Sequence, residues 1–309
     1  MIVCLLVLLW SAVPAVACPG SAPLALQVLG SGGPELDDRR ASSGYLVWLE
    51  GKATVLVDAG SGVALNFEKS GASYADLKAV LFTHFHVDHS VDFPSLVKGG
   101  YFGDRVGNLP VYGPAGNARM PAASDFLSLL IGEDGAFRYL SSYLAEGVPE
   151  DYKLEITDVP LAPQKIHRYP QDARLGLSAV PVHHGPLPAV AWRVDAGDYS
   201  VTFSGDMSNR YGTLADLAAG SDLLVAHNAV PEGATGAARS LHMPPSQIGR
   251  IAAAAKVGGV VLSHRMQRTL ARGEQTKNRI REHYTGMLAF AEDLDCFAVR
   301  SGVVERAPD

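Results

Sequence analysis

Short apolar runs, each stopped by glycine, aspartate or histidine, recur along most of this chain and predict a strand-rich fold. Leu24 to Leu29 is the first strand, broken by Gly30-Ser31-Gly32-Gly33-Pro34. That turn lacks the spacing of a dinucleotide fingerprint and reads as a plain turn. Tyr45 to Leu49 and Thr54 to Val57 form a hairpin around Glu50-Gly51-Lys52, and Asp58-Ala59-Gly60 closes its second strand. Ala64 to Ser70 predicts a short helix, and Leu77 to Phe82 a buried strand. From Asn117 to Leu144 the period becomes helical, with Phe126, Leu129, Leu130, Phe137, Leu140 and Leu144 at three- and four-residue steps. This segment is either a lid over a site or a helical layer packed on a sheet. Strands resume at Lys153 to Val159, Leu177 to Val182, Ala191 to Val194 and Ser200 to Phe203. A helix over Ile248 to Lys256, ended by Gly258-Gly259, leads into a buried strand at Val260 to Leu262. Strand-rich halves followed by helices predict an α/β fold of two similar layers.

The N-terminus changes the picture first. Ile2 to Val16 is almost unbrokenly apolar and ends Ala15-Val16-Ala17-Cys18. It reads as a secretory signal over residues 1–17, too short to span a bilayer comfortably, with a membrane anchor as the alternative. A mature domain over 18–309, periplasmic or secreted, follows. Cys18 also admits an acylated lipoprotein, the one route by which a membrane would become a partner. Beyond the signal only Cys18 and Cys296 remain, which is no disulfide framework, so stability is expected from the core. The net charge of −6 attracts polyanions poorly and predicts that nucleic acid is not a partner.

The candidate chemistry sits where the Leu77 to Phe82 strand stops, at Thr83-His84-Phe85-His86-Val87-Asp88-His89. In an extended segment His84 and His86 point the same way and can close on one ion, while Asp88 and His89, past the bend, reach a second. Imidazole and carboxylate together suit zinc, and less exclusively manganese or iron. Three further strand ends carry ligands: Val180-Pro181-Val182 runs into His183-His184, Val201-Thr202-Phe203 into Ser204-Gly205-Asp206, and Val260-Val261-Leu262 into Ser263-His264. Strands running in one direction in one sheet would deliver all three to the same edge.

These residues resemble the metallo-β-lactamase fold hydrolases, whose five motifs appear in order as His84-x-His86-x-Asp88-His89, His184, Asp206 and His264. Leu29-Gly30-Ser31-Gly32, the stretch from His184 to Arg193, and Ser204-Gly205-Asp206 are most similar to the branch holding ribonuclease Z and the arylsulfatase-like hydrolases. The resemblance implies a four-layer αββα sandwich. It also implies a first metal on His84, His86 and His184, a second on Asp88, His89 and His264, and Asp206 bridging. His183 competes with His184 for one of these positions. His242, in Leu241-His242-Met243-Pro244-Pro245, is similar to the histidine placed near the leaving group, and His227 falls near the family's His-Glu-Ala-Thr element, with Asn228 where an acid is common. Catalytic roles are therefore expected for Asp88, His242 and His227.

Two zinc ions about 3.5–4 Å apart would lower the pKa of a shared water toward 7. The expected reaction is attack of that bridging hydroxide on a small-molecule ester, a phosphodiester or aryl sulfate in preference, with Asp88 or Asp206 orienting it and His242 assisting the departing group. Ribonuclease Z enzymes insert a tRNA-clamping arm between the third histidine motif and the bridging aspartate. His184 and Asp206 are too close in sequence to hold one, which adds to the expectation against nucleic acid. A β-lactamase, a lactonase or a thioesterase of the same fold are the alternatives, and a non-catalytic metal-binding or sensor protein is the alternative of another class. A homodimer is compatible with all of these.

Overall fold

The computed structural model describes residue 18, residues 22–300 and residues 303–307. The expected signal over 1–17 lies outside the described residues.

The chain first lays down six strands, β1 (Leu24–Gly30), β2 (Gly44–Leu49), β3 (Lys52–Val57), β4 (Ala79–Leu81), β5 (Leu109–Pro114) and β6 (Leu154–Val159). Seven more build a second sheet: β7 (His167–Pro170), β8 (Leu175–Pro181), β9 (Val190–Ala196), β10 (Tyr199–Phe203), β11 (Leu223–His227), β12 (Gly259–Ser263) and β13 (Met287–Phe290). Then β14 (Cys296–Arg300) and β15 (Val303–Arg306) return to the edge of the first, giving the order β15-β14-β1-β2-β3-β4-β5-β6 against β13-β12-β11-β10-β9-β8-β7.

Helices cover the two outer faces. On the first sheet lie α1 (Val63–Lys69), α2 (Val87–Ser90), α3 (Phe93–Gly100) and α4 (Ala123–Ile131); on the second come α5 (Leu214–Leu217), α6 (Gly236–Leu241), α7 (Pro245–Ala255), α8 (Gln267–Leu270) and α9 (Gly273–Arg281). Alternation along each strand separates the layers. Leu24, Leu26 and Val28 of β1 meet Trp192, Val194 and Phe203 in the core between the sheets, while Ala25 and Leu29 face the helical layer. A third core joins β8, β11 and β12 to α7 through Val180, Leu224, Leu262 and Ile248. The expected four-layer αββα sandwich is the observed architecture. Covered on both faces, its strands read as continuous apolar runs, which is why they are visible in the sequence.

The segment from Asn117 to Leu144 holds α4 and a 3-10 stretch over Arg138–Tyr143. Leu127 and Ile131 are buried with the first sheet's outer core, and Phe126 stacks on Phe85 with ring centroids 4.3 Å apart. Asn117 Nδ2 donates to the Pro186 carbonyl at 2.9 Å, so this layer also touches the loop after His184.

One expectation is corrected. Cys18 and Cys296 form a disulfide, with Cα atoms 5.5 Å apart across a sequence separation of 278. Spacing alone could not reveal it: β14 pairs with β1, Gln27 opposite Cys296, and only that register brings the chain's two ends together. The bond consumes the Cys18 thiol that acylation would need. Closing so long a loop is worth about 2–4 kcal/mol. Replacing Cys296→Ser, or adding reductant to the native chain, should therefore lower Tm by roughly 5–15 °C in a thermal melt; an unchanged Tm would show that the bond does not constrain the fold.

Candidate metal centre

The site lies where strand ends of both sheets meet. The β3 end supplies Asp58 and the β4 end supplies His84 to His89 from the first sheet. In the second sheet β10, β11 and β12 are parallel and β8 shares their direction through two antiparallel pairings with β9, so His184, Asp206, His227 and His264 emerge at one edge. Two hydrogen bonds tie the sheets together at this point: Trp192 Nε1 donates to the Phe82 carbonyl at 2.9 Å, and the Val190 amide to that of Thr83, also at 2.9 Å. Gly205, at φ +56°, passes so close to Thr83 that an added Cβ would lie 2.8 Å from the Thr83 Cβ. The glycine-rich turn after β1 is also more than a turn, because a Cβ on Gly33 would lie 2.8 Å from the His264 ring.

Two groups of ligand atoms result, each within 4.8 Å of one another: His84, His86, His184 and Asp206, and His89, Asp206, His227 and His264. Asp206 belongs to both. Its Oδ2 is 3.9 Å from His184 Nε2, 3.8 Å from His89 Nε2, 3.4 Å from His264 Nε2 and 3.7 Å from His242 Nδ1. Asp88 joins the second group, its Oδ2 3.2 Å from His264 Nε2 and 3.6 Å from His89 Nε2. All seven expected ligands are thus brought together. Between the two adjacent histidines the geometry decides for His184, since His183 turns away to pair its Nδ1 with Ser208 Oγ at 2.7 Å.

The outer contacts orient the ring nitrogens. His184 Nδ1 donates to the Leu241 carbonyl at 3.0 Å, leaving Nε2 free toward the centre. His89 Nδ1 donates to Asp58 Oδ2 at 2.8 Å, and Asp58 also accepts from the Thr83 amide at 2.7 Å and from the Thr83 hydroxyl at 2.8 Å. A carboxylate behind a histidine fixes its tautomer and raises its basicity as a ligand. Asp58 supports the site although sequence reasoning treats it only as a strand terminator; what sets it apart, a left-handed backbone at φ 56° behind a buried strand, is visible only in the structure. His227, expected to have a catalytic role, lies buried behind Asp206. Its Nδ1 is 2.8 Å from Asp206 Oδ1 and its Nε2 3.0 Å from the Tyr45 hydroxyl, which in turn reaches Ser263 Oγ at 2.9 Å. It holds the aspartate and is out of a substrate's reach. Asn228 donates to the Val230 carbonyl and gives His242 no support. His242 itself stands at the rim of the first group, 5.5 Å from His184 between ring centroids.

Electrostatics mark the same centre. Burial lowers the pKa of His84, His86 and His184. It lowers that of His242 to about 3 and that of His227 to about 4. Burial acts the same way on His89, but the carboxylates of Asp88, Asp58 and Asp206 outweigh it and push its pKa up to about 9. Burial would raise Asp206; the surrounding imidazoles of His264, His242, His227 and His89 overcome it and hold the carboxyl well below its usual range. The field that favours a proton on His89 is one that attracts a cation. His84 Nε2 and His89 Nε2 are buried and meet no hydrogen-bond partner among the described residues, a cost of roughly 1–3 kcal/mol each unless something else engages them. A pair of divalent ions fits this donor set. Replacing Asp58→Asn removes the charge behind His89 while keeping a side chain tolerant of the left-handed backbone, and should weaken metal retention about 10–100-fold in chelator competition. Retention equal to that of the native chain would rule out the supporting role.

Comparison with known proteins agrees with this centre. The model of the Metallo-beta-lactamase superfamily matches residues 37–246. A ribonuclease Z of Mycobacterium sp. strain KMS is 29% identical over 295 residues, covering 89% of this chain and 96% of that one. Among solved structures, the metallo-beta-lactamase fold protein YhfI from Bacillus subtilis superposes with a TM-score of 0.68 at 21% identity, covering 89% and 98%. Human tRNase Z, short form, does so at 0.67 and 18%, covering 89% and 99%. The expectation that nucleic acid is no partner is overturned by these relatives, which are by name a ribonuclease and a tRNase. It rested on net charge, an average over the whole molecule, and on a missing arm, which removes one grip and leaves the hydrolytic centre intact. The chain belongs to the metallo-beta-lactamase superfamily, in its ribonuclease Z branch, and is a metal-dependent hydrolase of that fold.

Proposed function

We propose that this protein is an exported phosphodiesterase working with two zinc ions. The observation that carries the reading is Asp206 Oδ2, placed 3.4–3.9 Å from imidazole nitrogens of both ligand groups. His84, His86 and His184 would hold one ion, Asp88, His89 and His264 the other, and Asp206 both. Ions so held supply Lewis acidity and a water acidic enough to react near neutral pH. The donor set of imidazoles and carboxylates suits zinc. Asp88, 3.2 Å from His264 and 3.6 Å from His89, would accept a hydrogen bond from a nucleophilic water and so aim it. His242, neutral because burial lowers its pKa to about 3, offers a single N–H to the departing oxygen. A phosphodiester is favoured among esters because an anionic ester would suit a centre holding two cations, and because relatives are named ribonuclease Z.

A hydrolysis panel on zinc-loaded protein, comprising a bis-aryl phosphodiester, a short RNA, a cyclic nucleotide, an aryl sulfate, a lactone and a cephalosporin, should give the highest kcat/KM on a phosphodiester. Asp88→Ala should lower that value by roughly a hundredfold or more with its circular dichroism unchanged. A lactone, sulfate or cephalosporin as the sole substrate would overturn the reading, and normal turnover by the variant would remove Asp88 from the chemistry.

Export is supported by the leader-like residues 1–17 and by the Cys18–Cys296 disulfide, a bond that persists in oxidising compartments. Intact-mass analysis of the protein from the periplasm or medium should find a chain beginning at Cys18, without an acyl group and with both thiols oxidised. A chain that retains its leader, carries lipid or has free thiols would contradict this.

A further inference from the structure

The chain's charge is distributed unevenly. From Arg239 to Arg281 it carries nine of its 26 basic side chains and one of its 32 acidic ones, Glu274. This stretch builds α7, α8 and α9 and includes His242 and His264, so the helical layer beside the metal centre is basic in a molecule of net charge −6.

Two clefts draw lining residues from the chain just after and just before His242, Pro245 in one and Arg239 and Ser240 in the other. One, of about 360 Å³, is formed by Pro231, Glu232 and Pro245 facing Arg272, Thr276 and Arg279 of the α9 region. Its walls are the chain just beyond His227, His242 and His264. The other, of about 410 Å³, is formed by His183, Ser208, Asn209, Arg210 and Arg239. Those residues adjoin His184, Asp206 and His242. Glu232 brings one carboxylate to the first cleft, held by the Ser246 amide at 2.9 Å and hydroxyl at 2.6 Å, against the two guanidinium groups of Arg272 and Arg279. Arg272 and Arg210 are exposed and form no ion pair among the described residues. Arg279 shares its charge with Glu282 at 2.8 Å, a surface pair that an incoming phosphate can exchange at little cost. Arg268 Nε donates to the Ala229 carbonyl at 2.6 Å, and its charge is close enough to His242 to act on it.

Accessible guanidinium groups at the edge of a hydrolytic centre match phosphate in charge and in geometry. The connection from β9 to β10 is the two-residue turn Gly197-Asp198, with no room for a substrate-gripping arm. We propose that the two arginine-bearing clefts flanking His242 hold the phosphates on either side of the scissile bond of a nucleic-acid strand. Arg272 and Arg279 act on one side and Arg210 on the other. The proposal rests on the phosphodiesterase reading and adds to it where a longer substrate lies.

The test compares two substrates in zinc-loaded full-length enzyme, a bis-aryl phosphodiester and a short single-stranded RNA, across a series of salt concentrations. For the native enzyme, log kcat/KM on RNA should fall linearly with log salt and on the small diester should stay nearly flat. In Arg272→Ala/Arg279→Ala the ratio of RNA to small-diester kcat/KM should drop about tenfold, and the salt slope on RNA should become shallower by roughly 0.7 for each phosphate that is no longer neutralised. Lys52→Ala/Lys78→Ala makes the same change in net charge at the opposite end of the first sheet, and its ratio and slope should remain native. Metal content and Tm establish that each variant is intact. A native enzyme whose RNA activity is as insensitive to salt as its small-diester activity, or an arginine variant with native ratio and slope, overturns the clefts' role and leaves the phosphodiesterase reading standing. Failure of the native enzyme to cleave either substrate overturns both.

Discussion

One carboxylate oxygen, Asp206 Oδ2, lies 3.4–3.9 Å from nitrogens of four imidazoles carried on four different loops, and the fold is organised around keeping it there. Such a cluster cannot be held by flexible loops, since removing imidazoles and carboxylates from water is costly and each must be matched by a partner of fixed geometry. The ligands therefore hang from strands. Trp192 and Val190 bond across to Phe82 and Thr83, so the edges of the two sheets cannot slide apart. Behind the aspartate, His227, Tyr45 and Ser263 form a buried chain that fixes its second oxygen, and behind His89 the pair Asp58 and Thr83 does the same for an imidazole. Backbone strain sits at the same place: Asp58 and His264 both take left-handed conformations, φ 56° and 51°, which non-glycine residues adopt only where their surroundings compel it.

What can be read from the sequence follows from how local each signal is. Strands covered on both faces are apolar throughout, so β1, β4, β8, β10 and β12 stand out. β5 is hidden by Pro110, Gly113 and Pro114 within it, and α2, α5 and α8, at four residues each, are too short to show a helical period. The His84 to His89 cluster is legible because its ligands are crowded into one short stretch, and His184, Asp206 and His264 because each ends an apolar run. Tyr45, Asp58, Gly33 and Ser263 carry no such mark. Each looks like an ordinary strand or turn residue, and its part in the centre exists only once two sheets have closed. His227 is ambiguous for the same reason: a histidine at a strand end can face the reaction or brace a neighbour, and only its contacts show which.

Pairings between the chain's ends are still harder to anticipate. Two cysteines separated by 278 residues give no sign of a bond until the antiparallel register of β1 and β14 sets Gln27 against Cys296. The same return of β14 to the first sheet closes the domain, so that the last strands are held by the first and Cys18 is bonded to β14.

Charge misleads in a different way. A total of −6 describes the field far from the molecule, where all charges blur together. Within one Debye length, about 8 Å at physiological ionic strength, a ligand responds to its immediate neighbours. At the edge of the metal centre those neighbours include Arg239, which donates to the His242 carbonyl, and Arg268, whose charge acts on His242; both come from a helical layer far more basic than the rest of the chain. On the proposal made above, the basic layer draws an anionic strand and the acidic remainder repels it. An enzyme without a separate gripping arm gains orientation from that contrast: the polarity of its surface, taken locally, directs what its average charge would turn away.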